Sequence, residues 1–131
     1  MTDALERAEI EDLRRLVTEI CLRYPDASVE EGGEHRIYRV RARTFAYFLH
    51  DHHGDGETAV SIKVDPGMNL SLIESDPGRF YFPSYVGPRG WISLRLIGRD
   101  VDWGEVEDLI EMSFRLVAPV SLVRQLDATE S

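Results

Sequence analysis

Residues 76–94 read DPGRFYFPSYVGPRGWISL, and this stretch says more about the fold than any other part of the chain. Its three prolines and three glycines exclude a regular helix, because proline lacks the helical N–H donor and its ring clashes with the preceding turn. Its aromatic residues offer more apolar area than a solvated linker carries. The stretch therefore indicates an ordered loop that crosses the fold and enters a strand at Trp91.

The strand that follows the loop, over residues 91–97, alternates with a period of two. Such alternation places one set of side chains on the core and the other set on the opposite face of a sheet. The inner set is Ile92, Leu94 and Leu96, and the outer set is Trp91, Ser93 and Arg95. The outer set predicts that the sheet has a second, polar face.

Working outward, four more strands and four helices are predicted. The strands cover residues 27–31, 34–41, 44–50 and 58–64, and the helices cover residues 3–24, 67–75, 102–117 and 119–126. Asp102 and Glu105 form a capping box at the start of the third helix. On the first helix, the spacing predicts ion pairs four residues apart: Asp3 with Arg7, Glu11 with Arg15, and Glu19 with Arg23.

This order of elements predicts an α+β fold. Strands joined by hairpins form antiparallel sheets, and apolar stripes on the terminal helices must be buried against a sheet. We expect a two-layer sandwich with an antiparallel sheet of about five strands and the N- and C-terminal helices on one face. With 131 residues, the chain is expected to form one domain, residues 1–131.

The charge of the chain is unevenly distributed. The formal net charge is -9, but residues 36–99 sum to +3 while residues 1–35 and 100–131 sum to -6 each. A negative total opposes non-specific attraction to nucleic acid or anionic lipid. The single cysteine, Cys21, lies on an apolar helix stripe and predicts a reducing, cytoplasmic location, and no apolar run is long enough to span a membrane. We expect a soluble protein, and a monomer rather than an oligomer.

Several motifs together resemble one family. They are Thr44-Phe45-Ala46, Asp76-Pro77, Arg79-Phe80, Pro83-Ser84-Tyr85-Val86-Gly87, Gly90-Trp91, Asp102-Trp103, Glu105-Val106 and Arg115-Leu116-Val117-Ala118-Pro119. The chain resembles the MmcQ/YjbR-like proteins over nearly its whole length. The resemblance implies a fold similar to that of bacterial frataxin (CyaY-like), described as a double-wing DNA-binding type. Two positions depart from the family pattern: Ala42-Arg43 stands where Gly-Lys is frequent, and Pro88 where histidine is frequent.

Arginines near aromatic residues form the candidate binding site. Arginine beside an exposed aromatic ring is a common way to hold phosphates and unstacked bases. The predicted nucleic-acid-binding residues are Arg36, Arg39, Arg41, Arg43, Arg89, Trp91 and Arg95. The competing interpretation is that these arginines pair with neighbouring acids and protect a strand edge.

No catalytic, metal or cofactor site is predicted. The chain has no Gly-x-Ser-x-Gly elbow, Walker loop, Gly-x-Gly-x-x-Gly or His-Glu-x-x-His motif. His50, His52 and His53 offer ligand types for a metal, but no second cluster completes a tetrahedral set. We therefore expect a non-enzymatic protein without a cofactor.

Two functions are compatible with these observations. The first is a DNA- or other nucleic-acid-binding protein that uses an arginine-rich sheet face or hairpin. The alternative is a protein-interaction module whose acidic terminal helices, with Glu9 and Asp12, meet a protein partner and which binds no nucleic acid.

Overall fold

The computed structural model describes residues 2–51, 54, 56–83, 90–96 and 101–130. These residues form an α+β fold in which an antiparallel sheet is covered by helices. The elements in chain order are α1 (Thr2–Cys21), β1 (Ala27–Gly32), β2 (His35–Val40), β3 (Arg43–His50), β4 (Thr58–Lys63), α2 (Met68–Ser75), β5 (Phe80–Tyr81), β6 (Trp91–Arg95), α3 (Trp103–Val117) and α4 (Val120–Glu130). No helix within this described part is both long enough and apolar enough to cross a bilayer.

The sheet has six strands, not the predicted five, in the order β1-β2-β3-β4-β6-β5. Every pair of neighbouring strands is antiparallel. The additional strand is β5, which pairs Phe80 with Leu94 and Tyr81 with Ser93. A strand of two residues is too short to show a period of two, so the sequence pattern missed it.

The core lies between the sheet and helices α1, α3 and α4. One row of buried side chains crosses four strands: Phe48 on β3, Val60 on β4, Leu94 on β6 and Phe80 on β5. Burying a large apolar side chain contributes roughly 1.5–3 kcal/mol. This row therefore provides much of the stability of the sheet and confirms the predicted inner face of β6.

Helix α1 confirms the predicted amphipathic helix, but its ion pairs differ from the predicted ones. Arg14 is nearly buried over the ring of Phe48 and bonds to the carbonyl and carboxylate of Glu34. Arg14 also forms an ion pair with Glu11, so the predicted Glu11–Arg15 pair does not form. The observed pairs are Arg14–Glu11, Arg15–Asp12, Arg15–Glu19 and Arg23–Glu107. The side chain of Asp3 lies outside the described residues.

Strand β3 contains a β-bulge, and a residue of α3 hydrogen-bonds to its backbone. Tyr38 pairs with Ala46 but Arg39 pairs with Thr44, so Phe45 is an extra residue in the ladder. The Ser113 hydroxyl donates to the Phe45 carbonyl at 2.5 Å and accepts the Lys63 N–H at 2.9 Å. One buried side chain thus ties α3 to both β3 and β4.

Aromatic rings reinforce this junction. The rings of Phe45 and Phe114 meet edge to face with centroids 5.4 Å apart, and Tyr24 stacks on Phe114 at 4.8 Å. Such pairs add about 0.5–1.5 kcal/mol beyond the area that they bury. The bulge therefore delivers Phe45 into the interface between the sheet and helix α3.

The predicted N-cap of α3 is present, and α2 also ends in a capping residue. Asp102 caps α3, and its carboxylate accepts the Glu105 N–H at 3.1 Å. Asp76 is the C-cap residue of α2, and its carboxylate binds Arg79. Arg79 also binds Glu105, and these two hydrogen-bonded carboxylates raise the Arg79 pKa. The start of the residue 76–94 stretch is thereby fastened to α3.

Replacing Ser113 with alanine should lower the free energy of unfolding by about 1–3 kcal/mol, because a buried carbonyl and an N–H lose their shared partner. Ser71→Ala on the exposed surface of α2 is the matched control and should change it by no more than about 0.5 kcal/mol. Urea unfolding followed by circular dichroism gives both values. Equal effects of the two substitutions would contradict the bridging role of Ser113.

The backbone conformation of the turn between β2 and β3 leads to a second prediction. Arg41 and Ala42 have φ of 50° and 67°, a left-handed conformation that costs a non-glycine residue roughly 1–2 kcal/mol. Ala42→Gly should therefore raise the melting temperature by a few degrees. Ala128→Gly in helix α4 is the same chemical change and should lower it. Melting temperatures that shift in the same direction would count against strain at Ala42.

Candidate interaction surface on the outer face of the sheet

The face of the sheet turned away from α1 and α3 is here called the outer face. Its central row crosses all six strands in the order Glu30, Ile37, Tyr47, Ser61, Ser93 and Tyr81. Large side chains stand at both sides of this row and small ones at its middle. The outer face therefore carries aromatic and apolar side chains around two central serines, with charged residues toward both margins.

The middle of the outer face is buried, so the expectation of a polar second face is wrong there. Tyr47 and Trp91 lie on strands that flank β4, and their ring centroids are 5.5 Å apart. The rings meet over Ser61, which is small and fully buried, and the Ser61 and Ser93 hydroxyls are hydrogen-bonded at 2.6 Å. Trp91 is only 7% exposed. The predicted base-stacking tryptophan is thus a structural element of the surface.

Arg95 organises the margin of the outer face next to β5. Its guanidinium lies 4.6 Å from the centroid of the Tyr81 ring and binds the Glu57 carboxylate at 2.9 Å. It also donates to the carbonyls of Pro77 and Gly78. Sequence analysis named Arg95 but missed Glu57 and Tyr81, which lie 38 and 14 residues away along the chain.

The hairpin arginines do not converge on one patch. Arg36 lies on the helix side of the sheet and donates to the carbonyls of Gly33 and His35. Arg39 lies on the outer face and is paired with Glu30. Arg41, in the turn, is paired with Asp26 at 2.7 Å. Arg43 is exposed at the start of β3 and has no ion pair among the described residues.

The remaining candidate positions are Arg89 and the histidines at 50, 52 and 53. Arg89, His52 and His53 lie outside the described residues. His50 is described, and its Nδ1 is within hydrogen-bond distance of the Thr58 hydroxyl at 2.9 Å. No group of three or more potential metal ligands occurs in the part of the chain that the structure describes.

Two buried titratable groups lie in the core. Burial raises the pKa of the Cys21 thiol, so this sulfur stays protonated and unreactive at neutral pH. Burial also raises the pKa of Tyr38, whose hydroxyl bonds to Thr18 at 2.6 Å. Both groups face the helix side of the sheet, away from the outer face.

Sequence analysis also missed a cleft of about 740 Å³ between α1 and the β1–β2 turn. Arg14 is its buried cation, and both carboxylates that it binds, those of Glu11 and Glu34, line the same cleft. His50 and Asp51 also line this cleft. Arg14 already binds two carboxylates and a carbonyl of its own chain, so most of its charge is neutralised inside the cleft.

The family model of YjbR matches residues 22–116. The chain belongs to the YjbR family. The matched range covers all the described strands, helix α2 and most of helix α3. The outer face therefore lies within the family domain. None of the functionally curated proteins is significantly similar to the chain.

Two crystal structures share the fold of this YjbR-family chain. A Deinococcus radiodurans protein with a DUF419 domain is 22% identical, with a TM-score of 0.63 over 82% of this chain and 76% of that chain. A Pseudomonas syringae protein is 19% identical, with a TM-score of 0.61 over 79% of this chain and 96% of that chain. At these identities the similarity concerns the fold alone.

Tryptophan fluorescence tests the aromatic centre. In a Trp103→Phe variant, Trp91 is the remaining tryptophan, and acrylamide should quench it weakly. Adding Tyr47→Ala should increase the quenching and shift the emission to the red, because the ring that contacts Trp91 is lost. Ile37→Ala on the same row is the matched control and should leave the quenching unchanged. Strong quenching before Tyr47 is changed would show that Trp91 is exposed.

Proposed function

We propose that this YjbR-family chain is a non-enzymatic binding domain that holds a protein partner on its outer face. The observation that carries the proposal is the Tyr47–Trp91 contact, in which the buried Trp91 holds the half-buried ring of Tyr47 in place at the surface. Arg39 and Arg95 lie toward opposite edges of the sheet from this centre, each with an acid beside it. An aromatic centre within a polar rim that includes arginine is typical of protein–protein interfaces.

Preorganisation supports the same function. Tyr47, Trp91 and Tyr81 project from paired strands, and the ring of Tyr81 is contacted by Arg95. Side chains held in place before binding lose little conformational freedom when a partner docks. The half-buried Ile37 extends the apolar part of the surface toward β1.

The charges favour a protein over nucleic acid. A phosphate would have to displace a carboxylate from Arg39, Arg41 or Arg95, each of which is already ion-paired. The net charge of -9 also opposes the approach of a polyanion. A protein partner can instead contact these ion pairs at the rim without separating them.

Nucleic acid is the second candidate, and one arrangement favours it. Arg95 and Tyr81 form a cation–aromatic pair at the β5 margin of the outer face, and such pairs hold stacked bases in single-stranded nucleic acids. Arg43, which has no ion pair within the described residues, would add a phosphate contact. This candidate requires binding that weakens steeply as salt rises.

A partner that binds the acidic terminal helices would likewise have to displace ion pairs within the chain. On α1, Glu11 and Asp12 are paired with Arg14 and Arg15. On α3, Glu107 is paired with Arg23. These helices therefore present less free charge to a partner than the sequence suggests.

The test begins with affinity capture from a lysate of the source organism. The captured protein is then purified and titrated by calorimetry against each variant. Tyr47→Ala and Ile37→Ala should each weaken its binding at least tenfold. Leu22→Ala, which shortens an exposed apolar residue directly after α1, is the matched control and should bind as the unmodified chain does. Unfolding curves for all variants separate lost binding from lost stability.

Other outcomes would select the competing functions. Undiminished binding by Tyr47→Ala, with loss on Glu9→Lys plus Asp12→Lys, would assign the interaction to the acidic helices. Binding of labelled single-stranded DNA or RNA at about 50 mM salt, abolished by Arg39→Glu plus Arg41→Glu, would favour nucleic acid. Either result would overturn the proposed protein-binding outer face.

A further inference from the structure

Within the described strands, Lys63 is the cation of the outer face that lacks an acidic partner. The register pairs Lys63 with Trp91 and places its side chain on the same face of β4 as Ser61. Arg39 and Arg95 also lie on this face, and each is bound to a carboxylate. Lys63 has no ion pair among the residues that the structure describes. Its ammonium group is therefore a charge that the described part of the chain leaves unused.

The charges of the outer face do not balance. At the two margins, one arginine–glutamate pair on each side cancels its own charge. The remaining charge belongs to Lys63, on one of the two middle strands of the sheet. Residues 84–89, which precede β6 in the chain, contain no acidic residue. The middle of the outer face is therefore locally positive, although the chain as a whole carries a charge of -9.

Lys63 stands beside the aromatic centre of the outer face. Trp91 lies opposite it on β6, and the Trp91 ring contacts the half-buried ring of Tyr47. Tyr47 pairs with Ser61, two residues before Lys63 on β4. Such diagonal neighbours on one face of a sheet are about 7–8 Å apart. An unused cation and an accessible aromatic ring thus lie one step apart on the same face.

The backbone that carries Lys63 is held on the helix side of the sheet. The Lys63 N–H donates to the Ser113 hydroxyl at 2.9 Å, and the Val64 N–H donates to the Gly90 carbonyl at 2.8 Å. These bonds fix the end of β4 relative to α3 and to the start of β6. The spacing between Lys63 and Tyr47 is consequently a fixed property of the sheet.

We propose that the partner held by the outer face presents a carboxylate to Lys63 and an apolar side chain to Tyr47, an inference that rests on the protein-binding function proposed above. In an extended segment, alternate side chains point to the same side, and the chain rises about 3.3 Å per residue. Residues two apart are therefore separated by about 6.6 Å, close to the diagonal spacing of about 7–8 Å on the sheet. The partner is thus an extended segment with aspartate or glutamate two residues from an aliphatic or aromatic residue.

The negative charge of the whole chain is compatible with such a segment. One carboxylate meets one local cation, and at about 0.15 M salt the Debye length of about 8 Å screens the more distant acids. Nucleic acid carries a charge on every nucleotide and would be repelled along its whole length. The arrangement therefore favours a single acidic side chain within an apolar segment over a polyanion.

Selection of a random peptide library, displayed on phage, against the immobilised full chain tests this inference. The selected peptides should share an acidic residue two positions from an apolar one. Lys63→Glu should replace the acidic preference by lysine or arginine, because the local charge is reversed, whereas Lys63→Arg should keep it. In calorimetry, a synthetic selected peptide should bind Lys63→Glu at least tenfold more weakly than the unmodified chain.

Arg43→Glu is the matched control. Arg43 is an exposed cation without an ion pair among the described residues, but it pairs in register with Val40, which is buried on the helix side. Its reversal should leave the peptide preference unchanged, and circular dichroism verifies that each variant is folded.

The possible failures are distinguishable. Peptides that require Tyr47 but carry no acid, or an acidic preference that survives Lys63→Glu, would overturn this inference and leave the proposed function intact. Single-stranded DNA that binds the chain and is lost on Lys63→Glu, without enrichment of acidic peptides, would assign Lys63 to phosphate and overturn it as well. A selection that yields no peptide dependent on Tyr47 would count against both the inference and the proposed function.

Discussion

The hydroxyl of Ser113 connects helix α3 to the sheet where the sheet's own hydrogen bonding is interrupted. Phe45 is the extra residue of the β3 bulge, and its carbonyl finds no partner in the ladder. Lys63, at the end of β4, likewise donates its N–H to Ser113 rather than to a strand. Because both groups converge on one side chain, the position of α3 fixes the end of β4. The outer face depends on that junction.

Internal ion pairing decides how the charged residues can function. The composition shows a basic middle and acidic ends, which suggests two surfaces of opposite charge. In the folded chain, Arg23 reaches Glu107 on α3 and Arg39 reaches Glu30 on the neighbouring strand. An exposed pair of this kind contributes at most about 1 kcal/mol to stability. Its larger effect is to remove local charge, so the surface is more nearly neutral than the sequence suggests.

Local sequence patterns predict the elements of this fold well and its contacts poorly. The cap at Asp102 and the alternation of β6 depend on neighbouring residues, and both are found as predicted. The two-residue strand Phe80–Tyr81 carries no periodic signal and was missed. The pairing of Arg95 with Glu57 joins residues 38 positions apart, and no local pattern encodes it. Sequence analysis could therefore name Arg95 but could not identify Glu57 and Tyr81, the residues that contact its guanidinium.

Strand β4 shows how alternation can mislead about exposure. Residues Thr58 to Ile62 alternate between larger side chains at 58, 60 and 62 and small ones at 59 and 61, yet all five are buried. Helices cover one side of the strand, and the rings of Tyr47 and Trp91 meet over the other. The alternation therefore records side-chain size, with small residues under the rings and larger ones under the helices. A larger side chain at Ser61 would push the rings apart, so the size of the residues in this strand is restricted on both faces.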